Sequence, residues 1–137
     1  MRVESMKRFR HLLRYYPLTL LCLALVWFLC LMLDVSKAPD VDVPFIDKWT
    51  HLVMYAGTCS VMWWEYLRCH QRLVGWKLFL FAWLGPILMS GCIELLQAYC
   101  TTTRSGEWLD FAANSLGVTL GSLIGLAMWR YFRRSRS

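Results

Sequence analysis

The sequence predicts an all-α protein, a four-helix transmembrane bundle with both the N and the C terminus cytoplasmic, and three observations carry the prediction. Hydrophobic residues fill 58% of the 137 positions and the mean hydropathy is +0.41, too apolar for an ordinary soluble domain of this size. Four stretches, 15–33, 49–67, 78–99 and 109–132, each come close to the roughly 20 residues that cross a hydrocarbon core about 30 Å thick. The basic residues fall on alternate sides of these stretches. Arg2, Lys7, Arg8, Arg10 and Arg14 precede the first, Arg68, Arg72 and Lys77 lie between the second and third, and Arg130, Arg133, Arg134 and Arg136 close the chain. Only Lys37, Lys48 and Arg104 remain for the opposite side, so the positive-inside rule puts both ends in the cytoplasm.

The first stretch follows a basic segment, as a secretory signal would, but its apolar run is too long and no small-residue cleavage site follows, so it is expected to be a retained span. "LTLLCLALVWFLCLML" has no polar face of helical period, which argues against a helix of a soluble bundle. The second stretch starts near Trp49 and ends near Trp63 and Trp64; Trp76, Trp108 and Trp129 likewise mark span boundaries, as aromatic belts do. In the third, "WLGPILMSG" sets Pro86 among small residues and predicts a kink or a locally unwound backbone. The fourth carries Gly117, Gly121 and Gly125, two overlapping G-x-x-x-G units that let another helix approach closely. This spacing leaves open whether the approach is within one chain or between two.

Cys22, Cys30, Cys59, Cys92 and Cys100 lie in or at the ends of apolar stretches and Cys69 on the cytoplasmic side, so neither a disulfide framework nor a C-x-x-C metal site is expected. The connectors are short, and residues 1–137 read as a single membrane domain without a separate catalytic module. The net charge of +6 reflects topology and attraction to anionic lipid headgroups, and no nucleic-acid partner is expected.

Function must then reside in polar residues that a membrane disfavours. Asp47, His51 and Tyr55 are spaced four apart on one helical face, with Lys48 beside them. Glu94 and Gln97 share a face of the third span, Arg104 and Glu107 lie in the following connector, and Asp110 and Asn114 open the fourth span. At about 1.5 Å per residue, His51, Glu94 and Asn114 all lie roughly 24 Å above the cytoplasmic boundary. Three helices thus present polar groups at one depth, and the expected ligand-binding pocket, open toward the outer leaflet, comprises Asp47, Lys48, His51, Tyr55, Glu94, Gln97, Arg104, Asp110 and Asn114. Gly117, Gly121 and Gly125 are expected to shape the bundle around it. His51 with Asp47, Glu94 and Asp110 could make a nitrogen and oxygen site for a divalent ion, but the pocket holds one histidine and no H-E-x-x-H pair, so a metal or other cofactor is not expected.

These residues, in the order D-K-x-x-H-x-x-x-Y, E-x-x-Q, Arg104 and D-x-x-x-N-x-x-G-x-x-x-G, resemble the VanZ-like family of bacterial membrane proteins from about Asp47 to Gly121. The resemblance implies a multi-pass protein of the bacterial inner (cytoplasmic) membrane, linked through the family's founding member to resistance against teicoplanin and related lipoglycopeptides. It implies no settled biochemical activity. Two classes of function stay open. In one, the pocket binds an amphiphile such as an envelope lipid, a lipid-linked cell-wall precursor or a lipoglycopeptide tail, with Arg104 and Lys48 holding an anionic headgroup. In the other, a membrane enzyme uses Glu94 or Asp110 as acid or base and His51 as proton carrier. A small scaffold docking through its glycine face is a third class, and the oligomeric state is not legible from the sequence.

Overall fold

A computed structural model describes residues 2–32, 44–70, 72–100 and 106–135, and among these the chain is helical, with no strand. The helices are α1 (Arg2–Tyr15), α2 (Pro17–Met32), α3 (Ile46–Cys69), the short α4 (Gly75–Leu78), α5 (Gly85–Cys100) and α6 (Trp108–Arg134). A π-helical segment, Phe79–Leu84, joins α4 to α5. Gly75–Cys100 and Trp108–Arg134, 26 and 27 residues long, are each long and apolar enough to cross a membrane, and the bent pair α1 and α2 makes a third if counted as one span. α3 is 24 residues long but carries Asp47, Lys48, Glu65 and Arg68, and the buried face it turns to its neighbours is where Asp47, His51 and Glu65 find their partners.

The first apolar stretch, 15–33, corresponds to α2, which does not run straight on from α1. Pro17 disfavours helical backbone at Tyr16 and is itself suited to the first helical position, so the chain breaks there and the segments 4–15 and 17–32 diverge by 95°. The exposed backbone N–H groups at the start of α2 are met from another helix: Leu18 and Thr19 donate to the two carboxylate oxygens of Glu65 on α3, at 3.0 and 2.9 Å. Glu65 is buried, and it sits where the helix dipole favours negative charge. At the other end of α2, Gln97 of α5 donates to the Cys30 carbonyl at 2.7 Å.

Pro86 has the effect expected of it, in a specific form. It has no N–H to offer the Ala82 carbonyl four residues back, and one turn earlier the backbone widens, with Gly85 N–H returning to Leu80 five residues away. The Ala82 carbonyl is instead met by Cys59 Sγ at 2.9 Å and Ser122 Oγ at 3.3 Å. Helices α3 and α6 thereby bind the irregular turn, in the manner required of freed backbone groups at membrane depth.

The most extensive interface joins α3 and α6; α2 packs on α3 and α5, and α5 on α6. Gly117, Gly121 and Gly125 all lie in the first of these. A Cβ at Gly117 would collide with the Leu52 carbonyl, one at Gly121 would lie 2.6 Å from the Ala56 carbonyl and from Cys59 Cβ, and one at Gly125 would overlap the Trp63 ring. The close approach left open by the glycine spacing is therefore made within one chain. The distribution of polarity is inverted relative to a soluble protein: Leu21, Phe28, Phe81, Leu88, Leu116 and Leu123 face outward, while His51, Glu65, Ser90, Gln97 and Asn114 are buried. All six cysteines are unbridged.

Two alanine substitutions separate the packing role of glycine from its backbone cost. Gly121→Ala overfills the α3/α6 contact and is expected to lower stability by about 1–3 kcal/mol. Gly57→Ala places its Cβ where nothing lies within 4 Å and should gain about 0.5–1 kcal/mol from helix propensity. Unfolding in detergent micelles measures both, and equal tolerance at the two sites would refute the packing role.

Candidate functional site

The site forms where the first turns of α3 and α6 meet the last part of α5. The chain enters α3 through Phe45, whose φ of 58° puts a bulky residue in the left-handed region, a local strain at the mouth of the site. Three residues on, Lys48 turns its Nζ toward α6, where it contacts Asp110 Oδ1 and lies 2.8 Å from Glu107 Oε2, while also lying 3.3 Å from Asp47 Oδ2. One ammonium is thus shared among three carboxylates from two helices.

One turn deeper, the His51 ring is almost fully buried, at 3% exposure. Its Nδ1 lies 3.0 Å from Asn114 Oδ1, and the Asn114 amide nitrogen donates to Glu94 Oε1 at 3.4 Å. Glu94 accepts, so the Asn114 amide nitrogen must face it, and the amide oxygen is left to accept from His51. The imidazole accordingly carries its proton on Nδ1 and points Nε2 back toward the acidic cluster, 3.7 Å from Asp47 Oδ1 and 4.0 Å from Asp110 Oδ2. Glu94 uses its second oxygen to accept the backbone N–H of Glu107 at 3.2 Å. Gly106 makes this approach feasible, since a Cβ there would collide with the Glu94 carbonyl.

Of the residues singled out from the sequence, Asp47, Lys48, His51, Glu94, Asp110 and Asn114 come together in this one network. Tyr55 does not join it. It lies a turn further along α3 in the apolar core with Val26, Cys30 and Ile93, and its hydroxyl makes no hydrogen bond among the described residues. Gln97 faces α2 and binds the Cys30 carbonyl. Arg104 lies outside the described residues. Glu107, read from the sequence only as part of the connector, belongs to the network; its signal was the spacing of three to Asp110, which places both at the start of α6.

The network borders an apolar groove of about 440 Å³ between α5 and α6. Ile87, Leu88, Leu95, Ala98, Trp108 and Phe111 line it, and Glu94 and Glu107 supply its polar wall. A pocket of this size, mostly apolar with a few convergent polar groups, is the form that ligand sites usually take. No protein-family model, curated protein or solved structure matches the chain.

Asn114 is the residue through which α3, α5 and α6 are joined. Asn114→Leu, similar in size, would leave both the His51 N–H and Glu94 Oε1 without this partner. The expected loss is about 1–3 kcal/mol. In a double-mutant cycle with His51→Leu the two losses should be markedly non-additive, and simple additivity would show that the contact carries no energy.

Proposed function

We propose that this chain is a VanZ-like protein of the bacterial cytoplasmic membrane that binds an amphiphile of the outer leaflet, an envelope lipid, a lipid-linked cell-wall precursor or the lipid tail of a glycopeptide. The observation that carries this reading is the continuity of the groove with the polar network: Glu94 and Glu107 belong to both. An apolar chain would lie against α5 and α6 and its polar head at the mouth of α3 and α6. Lys48 is already engaged by three carboxylates, so it orders the site's acidic residues rather than standing ready for a phosphate.

In this proposal the chain spans the membrane four times with both ends cytoplasmic. Trp108, exposed at one end of α6, lies at the outer surface; Trp129, with Arg133 stacked over its ring at 5.5 Å, lies at the inner one. Helix α1, bent 95° from α2 and carrying Arg10, Arg14 and exposed Phe9 and Leu13, would lie along the inner surface. Cys69 and Cys100 are both exposed, each is the last residue of its helix, α3 and α5, and in this topology they lie on opposite sides of the membrane. In variants that keep only one of them, a membrane-impermeant maleimide applied to intact cells or spheroplasts should label Cys100 and leave Cys69 unmodified until lysis. The reverse pattern would invert the topology.

A membrane enzyme is the second reading, favoured by the hydrogen-bonded series His51, Asn114, Glu94. Glu94 has both carboxylate oxygens engaged, one by Asn114 and the other by a backbone N–H, so the proton-transferring pair in that case is His51 with Asp110. A scaffold docking through the glycine face is disfavoured, because that face is buried against α3.

Gly91 faces Phe111 across the groove, with ordinary contact distance for an added Cβ, so Gly91→Leu should fill the groove without disturbing the network. In a sensitive Gram-positive host the native chain is expected to lower susceptibility to teicoplanin but not to vancomycin. Gly91→Leu and His51→Ala, at equal membrane levels, should abolish that effect. An unchanged teicoplanin response with the native chain would remove the resistance role, and full activity of Gly91→Leu would remove the groove from it.

A further inference from the structure

We infer that Asp47, His51 and Asp110 form a binding site for a divalent transition-metal ion, with zinc the best fit to the donor set. One ligand atom from each, the two carboxylate oxygens and His51 Nε2, lie within 4.8 Å of one another, and His51 and Asp110 are buried. Two ligands bound tetrahedrally at about 2.1 Å stand about 3.4 Å apart across one ion. The separations of 3.7 and 4.0 Å from His51 Nε2 to Asp47 Oδ1 and Asp110 Oδ2 exceed that by a few tenths of an ångström, which rotation of the carboxylates closes.

The second observation is the way His51 is held. A histidine that ligates a metal through one nitrogen commonly donates its other N–H to an oxygen, which fixes the tautomer and the ring orientation. Asn114 supplies that oxygen to Nδ1 at 3.0 Å and is itself fixed by Glu94. Nε2 is thereby aimed, inside the protein, at two carboxylate oxygens, the three ligand atoms that an ion between them would use. Lys48 engages the opposite oxygen of each carboxylate, Asp47 Oδ2 and Asp110 Oδ1, and so turns Oδ1 and Oδ2 respectively toward the imidazole. Asp47 and His51 stand four apart on α3 and Asp110 is in the first turn of α6, so an ion would tie together the two helices of the largest interface. One nitrogen and two oxygens suit zinc and leave coordination positions open toward the outer side. The site stands independently of whatever occupies the neighbouring groove.

The test is titration of the untagged, chelator-treated protein in detergent with Zn²⁺ alone by calorimetry, and with Co²⁺ alone by visible absorption. Cys69, Cys92 and Cys100, which are exposed and could bind these ions themselves, are replaced by serine. The expected result is one ion per chain and a cobalt spectrum without sulfur charge-transfer bands. His51→Ala and Asp110→Asn should weaken binding at least tenfold, and Asn114→Ala, which changes no ligand, by about 10–100-fold. Asp47→Asn, at the half-exposed edge of the site, serves if either buried variant fails to fold. Absence of saturable binding, or affinity unchanged in a folded His51→Ala or Asp47→Asn protein, would overturn the assignment.

Discussion

Gly117, Gly121 and Gly125 bring the backbone of α6 against that of α3, and the geometry of the polar network follows from that approach. Within a bilayer apolar side chains gain little by leaving lipid for protein, so helices associate through close packing and hydrogen bonds, and small residues are what permit both. The glycines lie on the same face of α6 as Asp110 and Asn114, one to four turns further along. Whatever separates the helices at Gly121 also separates Asn114 from His51 and Asp110 from Lys48, whose contacts depend on direct hydrogen-bonding approach. Packing and polar chemistry are consequently two ends of one interface.

Several buried polar groups elsewhere in the molecule meet a defined structural demand. Glu65 satisfies the opening N–H groups of α2, Gln97 the carbonyl of Cys30, and Cys59 with Ser122 the carbonyl that Pro86 leaves without a donor. In those cases donors and acceptors match, as low-dielectric surroundings require. The cluster at the start of α3 and α6 differs in kind. Among the described residues, Lys48, His51, Asp47, Glu107 and Asp110 face one another across the two helices. Such a concentration of charge costs stability unless it is closely paired, and its position beside an open groove is what separates it from the structural set.

The sequence revealed depth better than direction. A rise of 1.5 Å per residue was enough to put His51, Glu94 and Asn114 at one level, and they do form a hydrogen-bonded series. Which way each side chain points around its helix depends on neighbours, and there the sequence was silent. Tyr55, on the same face of α3 as His51, passes into the apolar layer below, and Gln97, on the same face as Glu94, turns to α2. Glu65 stood in "WWEYLR" among residues typical of a membrane boundary, and nothing local marked it as the partner of a helix start 46 residues earlier. Pro86 announced an irregularity, but only the packing of Cys59 and Ser122 shows how its cost is met.

Under the proposed binding function, the groove and the cluster impose opposite demands on a ligand, and together these would narrow its chemistry. The long walls, from Ile87 to Phe111, are mostly apolar, so a water-soluble solute would lose hydration along most of its length with little replacement. A purely apolar molecule would gain nothing from the Glu94 and Glu107 end. An amphiphile satisfies both, and it also has an entry route, because the groove lies between two helices whose outer faces, Leu88 and Leu95 on α5 and Leu109 and Leu116 on α6, are exposed and apolar. Lateral entry from the lipid keeps the tail in a low-dielectric medium throughout, and only the head has to exchange water for the acidic residues at the mouth of α3 and α6.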